Sequence, residues 1–166
     1  MKKEISALDA ATKFIGYKER TEAEIIIKLQ SLGYNQNETE ETITRLKENL
    51  MLDDTRYATD YAECLKKRKI SKNKARLMLK AKKLDGQLID EVLETFSDES
   101  EQENADNEAI TYIKKVASCP ENGFEYSNLA CKSCMNKTLR RLVSRNFDFE
   151  VAKSAARRAC EQYSEK

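Results

Sequence analysis

The apolar positions of the first fifty residues recur in the second fifty. A shift of 50 positions places apolar residues on apolar residues and Thr21 on Ser71. The matched apolar pairs are Leu29 with Leu79, Tyr34 with Leu84, Ile43 with Leu93, and Leu46 with Phe96. A further shift of 63 continues the series more weakly, from Leu79 to Leu142 and from Leu84 to Phe147. Self-similarity with a period of about 50 residues predicts stacked copies of one small unit, which bury their apolar faces against their neighbours.

The composition favours helices throughout the chain. Its 166 residues include only 4 Gly and 1 Pro, so there are few residues that break helices. Within each copy, apolar residues recur at helical spacing in three successive segments. The sequence therefore predicts an all-α protein, a tandem array of three three-helix repeats that is elongated and curved. Arrays of this kind more often offer a surface to a partner than enclose a catalytic pocket.

The register of the copies gives the expected domain boundaries. Repeat 1 covers residues 1–52, and repeat 2 covers residues 53–97. Residues 98–107 are polar and acidic, and are predicted to be a linker or the start of a helix. Repeat 3 covers residues 108–166. Because Pro120 and Gly123 interrupt it where the register still requires helix, we expect an insertion of about ten residues near 118–130.

Local signals place the helix ends of repeat 1. Thr21 followed three residues later by Glu24 predicts a capping box, in which each side chain accepts a hydrogen bond from a free backbone N–H group. Gly33 is expected to end that helix, since glycine adopts the left-handed conformation at little cost. Asn37 with Glu40 is predicted to start the third helix.

The later repeats keep these signals with substitutions. Asp53 or Asp54 is expected to cap the first helix of repeat 2, and Ser71 its second helix. Lys74 stands where repeat 1 has its capping-box glutamate, which places positive charge at a helix start and is mildly unfavourable. A costly basic residue at that position is mild evidence for a negatively charged partner. In repeat 3, Asn146 takes the place of the glycine cap.

Charge is strongly segregated along the chain, although the net charge is only +1. Residues 64–83 contain ten basic and no acidic groups, and residues 84–112 contain ten acidic and no basic groups. The basic segment and the free N–H groups at Ser71 could hold phosphates. The alternative is a helix face that is simply solvated. The candidate binding residues are Lys66, Lys67, Arg68, Lys69, Lys72, Lys74, Arg76 and Lys80, with a weaker group at Arg140, Arg141 and Arg145.

Several classes of function are disfavoured by what the sequence lacks. The absence of histidine excludes Ser-His-Asp and Cys-His catalysis as well as histidine metal sites. Cys131 and Cys134 have the spacing of half a zinc site, to which Cys119 and Cys160 could add ligands, but a second Cys pair is missing. We therefore predict neither metal nor cofactor, and no disulfide framework. No signal peptide or membrane span is apparent, so the expected location is cytoplasmic.

The motifs together resemble those of the RecX family, regulators of the RecA recombinase. The residues that carry the resemblance are Arg20-Thr21-Glu22-Ala23-Glu24, Lys28-Leu29, Gly33-Tyr34 and Leu52-Asp53-Asp54-Thr55-Arg56-Tyr57-Ala58, then Lys69-Ile70-Ser71 through Leu79. Repeat 3 fits in Arg145-Asn146-Phe147-Asp148, while the insertion from Cys119 to Cys134 departs from the family pattern. The resemblance implies a modular array of three-helix repeats that lies in the groove of a RecA filament on DNA and suppresses ATP hydrolysis and strand exchange.

The sequence thus predicts a monomeric regulator without catalytic activity. Its expected partners are the RecA filament and, weakly and electrostatically, single- or double-stranded DNA. The alternative is a transcription regulator of the helix-turn-helix type, in which residues 71–83 would be the recognition helix. Such a helix needs base-reading side chains near its start, for which only Asn73 and Arg76 are available.

Overall fold

The structure, a computed structural model, describes residues 5–117 and 132–164, and all regular elements in these ranges are α-helices. In chain order they are α1 (Ala7–Tyr17), α2 (Glu22–Ser31), α3 (Gln36–Glu48), α4 (Asp54–Lys67), α5 (Lys72–Ala81), α6 (Gly86–Leu93), α7 (Asp98–Ala117), α8 (Lys132–Ser144) and α9 (Phe149–Ser164). The all-α prediction of three successive three-helix repeats is confirmed. The described helices include no stretch with the length and apolarity that a bilayer crossing needs.

Two compact units divide the middle repeat between them. The first unit contains the chain up to Cys64 together with Met78–Val92, and its helices α1, α2 and α3 pack on one another. Its core is built from apolar residues one helical turn apart, which form a stripe on each helix. The core includes Ala11, Ile25, Leu29, Ile43 and Leu46.

The second unit contains Leu65–Leu77 and the chain from Leu93 onwards, with α7, α8 and α9 packed on one another. Small residues dominate the faces of α7 and α9. Ala105 and Ala109 of α7 and Ala152, Ala155 and Ala159 of α9 are buried, which allows the two helices to approach closely. Leu142 of α8 and Phe147 complete this core.

The turns after the second helix of each repeat share a left-handed backbone conformation. Gly33, Lys83 and Asn146 have φ values of 80°, 56° and 64°. They lie 50 and then 63 positions apart, so the backbone repeats in the register that the apolar residues predicted. The expected caps at Gly33 and Asn146 are confirmed, and Lys83 adopts the same conformation without the freedom of glycine.

Helix starts follow the predictions in repeat 1 except at α3. Thr21 and Glu24 form the predicted capping box. The predicted start of α3 at Asn37 with Glu40 is wrong by two residues, because Asn35 and Glu38 form the capping box instead. Both pairs have the required spacing, and Asn35 is the one directly beyond the turn at Gly33.

Helix starts in the later repeats settle two alternatives. Asp53 caps α4 by accepting a hydrogen bond from the N–H of Arg56, whereas Asp54 accepts one from the N–H of Glu22. Residues 98–107 are not a linker, since α7 begins at Asp98. Glu101, Ala105 and Ala109 are spaced four residues apart and are buried, so they form one face of the helix. The many acidic residues between them make this short stripe hard to recognise in the sequence. The predicted insertion at 118–130 lies outside the described residues.

Candidate functional site

The candidate basic residues fall almost entirely in one unit. Lys80 belongs to the first unit, and the other ten belong to the second. Lys66 and Lys67 end α4, Arg68 and Lys69 form the turn, and Lys72 begins α5. Lys74 and Arg76 follow on α5, while Arg140 and Arg141 lie on α8 and Arg145 directly after it. Apart from Lys80, the two basic groups, more than sixty residues apart in sequence, therefore belong to the same compact unit.

The start of α5 is already occupied by protein groups. Glu101 of α7 accepts a hydrogen bond from the backbone N–H of Lys72, and Ser71 Oγ lies 3.4 Å from the N–H of Lys74. Burial raises the pKa of Glu101 above its ordinary value, although the N–H of Lys72 opposes the rise. The N–H groups of Lys72 and Lys74 are therefore not free to hold phosphates, because a carboxylate and a hydroxyl oxygen accept their hydrogen bonds.

A cleft in the second unit gathers part of both basic groups. Its volume is about 690 Å³, and we call it the basic cleft. Arg68, Lys69, Lys74 and Arg145 line it together with Asn104 and Asn107 of α7. The remaining polar lining includes Glu108, Thr111, Ser144 and Asn146. Four cations and several amide and hydroxyl groups thus surround a single carboxylate.

Arg145 reaches the basic cleft through the repeat scaffold. Ser71 Oγ donates a hydrogen bond of 3.0 Å to the carbonyl oxygen of Arg145, which ties the start of α5 to the end of α8. The side chain of Arg145 lies with its Nε 3.3 Å from Glu108 Oε1, and the same oxygen lies 3.1 Å from Nε of Arg141. Glu108 therefore holds the two arginines beside each other at one wall of the cleft.

The first unit contains a counterpart of this cleft, with a volume of about 380 Å³. We call it the tyrosine cleft. It is lined by Lys18, Glu19, Tyr57, Asp60, Tyr61 and Cys64. A shift of 50 positions places Lys18 and Glu19 on Arg68 and Lys69. A shift of 47 positions places Tyr57, Asp60, Tyr61 and Cys64 on Asn104, Asn107, Glu108 and Thr111. Every residue that lines the tyrosine cleft thus has its counterpart in the lining of the basic cleft.

A hydrogen-bonded group beside the tyrosine cleft joins the start of α2 to the end of α5. Thr21 Oγ1 donates to the carbonyl oxygen of Lys82 over 3.0 Å, as Ser71 does to Arg145. The ammonium group of Lys82 lies 2.7 Å from Glu24 Oε1 and also donates to the hydroxyl oxygen of Tyr57. Burial alone would raise the pKa of Glu24, but the hydrogen bond and charge of Lys82 outweigh it, so the pKa is lowered.

The counterparts of this group cannot form the same ion pair, because none of them is a carboxylate. Lys74 stands in the place of Glu24, Arg145 in that of Lys82, and Asn104 in that of Tyr57. The tyrosine cleft is thus flanked by an ion pair, whereas the basic cleft has two cations at the equivalent positions.

A family model described as "RecX, first three-helix domain" matches residues 7–46. A regulatory protein RecX from Clostridium botulinum (strain Alaska E43) is 30% identical over 155 residues, which cover 93% of this chain and 69% of that protein. The chain belongs to the RecX family. A RecX protein from Finegoldia magna is 44% identical over 52 residues, covering 31% of this chain and 25% of its own length.

Solved RecX structures share the fold. The crystal structure of RecX from Lactobacillus salivarius superposes with a TM-score of 0.74 at 21% identity, covering 92% of this chain and 94% of its own. A second RecX crystal structure has a TM-score of 0.71 at 22% identity and covers 87% of this chain and 67% of its own. The matched RecX domain ends at residue 46, so the residues of the basic cleft lie beyond it.

The other predicted site residues of this RecX-family chain do not line the basic cleft. Lys66 Nζ lies 5.9 Å from the centre of the Phe96 ring. Arg141 borders the cleft only through Glu108. The remaining ones, which are Lys67, Lys72, Arg76, Lys80 and Arg140, lie elsewhere on α4, α5 and α8.

Sequence reasoning missed the amide residues of the cleft. Asn104 and Asn107 lie among the acidic residues 84–112, and the signal that marks them is the shift of 47 positions that aligns α7 with α4.

The cysteines show no metal centre in the part of the chain that is described. Cys134 and Cys160 are buried, with their Sγ atoms 3.9 Å apart, and Cys64 is exposed. Residues 5–117 and 132–164 contain no group of three or more potential metal ligands. Cys119 and Cys131 lie outside these ranges.

Proposed function

We propose that this protein regulates RecA negatively by binding to the RecA–DNA filament. The observation that carries the proposal is the similarity to regulatory proteins RecX over 93% of the chain. The concentration of basic side chains in the second unit supports contacts with an anionic partner. In this proposal the protein acts by binding and performs no catalysis, and it needs no cofactor.

The proposed mechanism is competitive occupancy. A bound molecule bridges neighbouring RecA protomers across the filament groove and hinders filament growth, ATP hydrolysis and entry of the duplex for strand exchange. The candidate contacts are the basic residues of α4, α5 and α8, facing phosphates or acidic protein groups. Since each phosphate contact releases counterions, the affinity for the filament falls steeply with salt. The protein acts as a monomer in the cytoplasm, and its own affinity for DNA is weak.

The alternative, a helix-turn-helix transcription regulator, receives less support. A recognition helix presents the residues at its N-terminus to base edges in the major groove. Here the backbone N–H of Lys72, the first residue of α5, donates to the buried carboxylate of Glu101. A carboxylate at that position repels the phosphates that flank the groove, which disfavours this docking mode.

The direct test is the ATPase activity of RecA on single-stranded DNA with purified protein added. Inhibition at stoichiometric amounts is expected, and it weakens as salt is raised. No inhibition at stoichiometric amounts would overturn the proposal. Selection of random duplex sequences tests the alternative, since a single enriched motif would favour a transcription regulator.

Charge-reversal variants test the electrostatic part. Lys72→Glu/Lys74→Glu reverses two charges at the start of α5, and a several-fold loss of inhibition is expected. The matched control is Lys114→Glu/Lys153→Glu, which changes the net charge equally at exposed positions on α7 and α9. Equal loss in both variants would mean that net charge alone, and not the α5 surface, determines binding.

A further inference from the structure

Two buried thiols face each other in the third repeat. Cys134 lies in the first turn of α8 and Cys160 lies near the end of α9, and each residue is only 3% exposed. Their Sγ atoms are 3.9 Å apart. Both residues belong to the apolar core of the second unit, in which α8 and α9 pack on each other. The pair therefore connects the start of one helix to the end of the next.

The repeat scaffold does not account for this pair. A shift of 63 positions places Cys134 on Ser71 and Cys160 on Ser97. The hydroxyl group of Ser71 donates to a carbonyl oxygen directly after α8, and Ser97 Oγ accepts a hydrogen bond from a backbone N–H in the first turn of α7. The serines of repeat 2 thus bond to backbone groups of the repeat that follows. In repeat 3 the same two positions hold sulfur atoms that contact each other, so the chemistry between these sulfurs is the feature to explain.

The geometry of the pair suits a disulfide bond. Such a bond is about 2.05 Å long, so each sulfur needs to move only about 0.9 Å towards the other. A modest rotation about each Cα–Cβ bond moves the sulfurs by that distance and leaves the helices in place. The carbonyl oxygen of Cys134 accepts a hydrogen bond of 3.0 Å from the buried hydroxyl group of Thr138, which fixes the backbone on which its sulfur turns.

We infer that Cys134 and Cys160 are a site of reversible oxidation, at which a hydroperoxide converts the two thiols into a disulfide that links α8 to α9. The inference goes beyond the proposed function and does not depend on it. The reaction needs no group other than the two sulfurs and the hydroperoxide.

The oxidation proceeds in two steps. One thiolate attacks the terminal oxygen of the hydroperoxide, so that the O–O bond breaks, a sulfenic acid forms and the alcohol leaves with the proton of that thiol. The second sulfur then attacks the sulfenic sulfur. The S–S bond forms, the S–O bond breaks, and the hydroxide takes the proton of the second thiol and leaves as water. Two thiols and one hydroperoxide give one disulfide, one alcohol and one water, and two electrons pass from the sulfurs to the peroxide.

The positions of the two residues give the oxidant access. Both lie close to helix ends, which open more readily than helix centres. A hydroperoxide is small enough to reach a sulfur during such an opening, and closure of the helix returns the second sulfur to it. Because the thiolate is the attacking form, the rate of disulfide formation is expected to rise with pH.

The first test maps the bond in the purified full-length protein after treatment with hydrogen peroxide. The remaining thiols are alkylated, and the protein is digested with trypsin without reductant and analysed by mass spectrometry. Cys134 and Cys160 then lie in peptides 133–137 and 159–166, Cys119 and Cys131 share peptide 116–132, and Cys64 lies in peptide 57–66. Peptide 133–137 is expected to be linked to 159–166, and dithiothreitol should separate them. Peptides that stay unlinked, or that are linked only to one of the others, would overturn the inference.

The second test measures thermal unfolding of the reduced and oxidised protein. The bond joins residues 26 positions apart and restricts the unfolded chain. The melting temperature should therefore rise by about 5–10 °C on oxidation and return to its first value on reduction. A fall on oxidation would show that the bond distorts the helices, which contradicts the geometry argued above.

Serine variants test the assignment to these two residues. Cys134→Ser and Cys160→Ser each introduce the residue that repeat 2 has at that position, and each should abolish both the link and the rise in melting temperature. Cys64→Ser, at an exposed cysteine, is the control and should keep both. The mapping of the original protein needs no variant, so it decides the question even where a substitution in the core prevents folding. A rise that persists in a folded variant without one of the two thiols would refute the assignment.

Discussion

The tyrosine cleft and the basic cleft occupy the same place in the repeat and have opposite polarity. In the first unit, Glu24, Lys82 and Tyr57 satisfy one another beside the cleft. In the second unit, the counterparts Lys74, Arg145 and Asn104 line a cleft of almost twice the volume. In the first unit these polar side chains therefore bond to one another, whereas in the second unit Arg145 bonds to Glu108 of α7 instead.

The comparison shows that the two units keep the same backbone arrangement but differ in their polar side chains. A threonine or serine at the start of the second helix donates, in both units, to a carbonyl oxygen directly after the second helix of the next repeat. Because that hydrogen bond and the buried apolar residues fix the scaffold, the charge of the side chains at the remaining polar positions can change sign without loss of the fold. The two copies differ in charge at those positions.

The largest expected effect tests whether the two units share an equivalent core. Leu29 and Leu142 are counterparts, and both are fully buried. Leu29→Ala and Leu142→Ala should each lower the free energy of unfolding by about 2–5 kcal/mol in urea denaturation, since each leaves a cavity. Leu77→Ala, at a leucine that is 50% exposed on α5, is the control and should cost less than about 1 kcal/mol. A much smaller cost in one unit would show that the cores are not equivalent.

The next effect concerns the hydroxyl groups that join consecutive repeats. Thr21→Val and Ser71→Ala remove both a helix cap and the hydrogen bond to Lys82 or Arg145, so each should cost about 1–3 kcal/mol in thermal or urea unfolding. Thr44→Val is the control, because Thr44 is exposed and bonds only within α3. If Ser71→Ala behaves like the control, the scaffold does not depend on this bond in the second unit.

The sequence was sufficient to predict the helices and the repeat because both follow from local signals. Apolar spacing, the capping box at Thr21 and the turns at Gly33 and Asn146 act within a few residues. The error at α3 arose because Asn37 with Glu40 has the same spacing as the true pair, Asn35 with Glu38. Propensity alone does not distinguish two overlapping capping boxes.

Only part of the candidate site could be predicted from the sequence. The basic segment was visible as a run of charges, but its meeting with Arg145 depends on packing across 74 residues, which Ser71 secures. Glu101 was not predicted to accept the N–H of Lys72, because a carboxylate in an acidic segment is ordinarily solvated. The amides of α7 were not predicted for a different reason. The shift that aligns α7 with α4 is 47 positions, whereas the other helices align at 50 or 63.

A smaller effect tests the ion pair of the first unit. Glu24→Gln should lower the free energy of unfolding by about 1 kcal/mol at neutral pH, because it removes a charged hydrogen bond to Lys82. The folded-state pKa of Glu24 is below the ordinary value of 4.5, so its stabilisation is present above that pH and is lost as the pH falls through the folded value. The free energies of unfolding of the original protein and of Glu24→Gln should therefore converge in acid.

Glu41→Gln is the matched control for this prediction, because Glu41 pairs with Arg45 at an exposed position on α3. A change below about 0.5 kcal/mol is expected there. If Glu24→Gln is equally mild and independent of pH, the ion pair is not what distinguishes the first unit from the second.

The smallest effect concerns a feature that both units share. A carboxyl group on the first helix of one repeat accepts the first N–H of the second helix of the preceding repeat. Asp54 accepts from Glu22 and Glu101 from Lys72, and burial raises the pKa of both carboxyl groups. A raised pKa means that the folded state binds the proton more tightly than the unfolded chain. This contribution to stability is therefore greatest in acid and declines as the pH rises through the folded pKa.

Asp54→Asn and Glu101→Gln keep an oxygen that accepts the N–H but remove the titration. Each should thus flatten the decline in the free energy of unfolding over that window, with a smaller change at neutral pH than Glu24→Gln produces. Opposite signs in the two units would show that the carboxylates are not equivalent caps, and the divergence between the clefts would then extend into the scaffold itself.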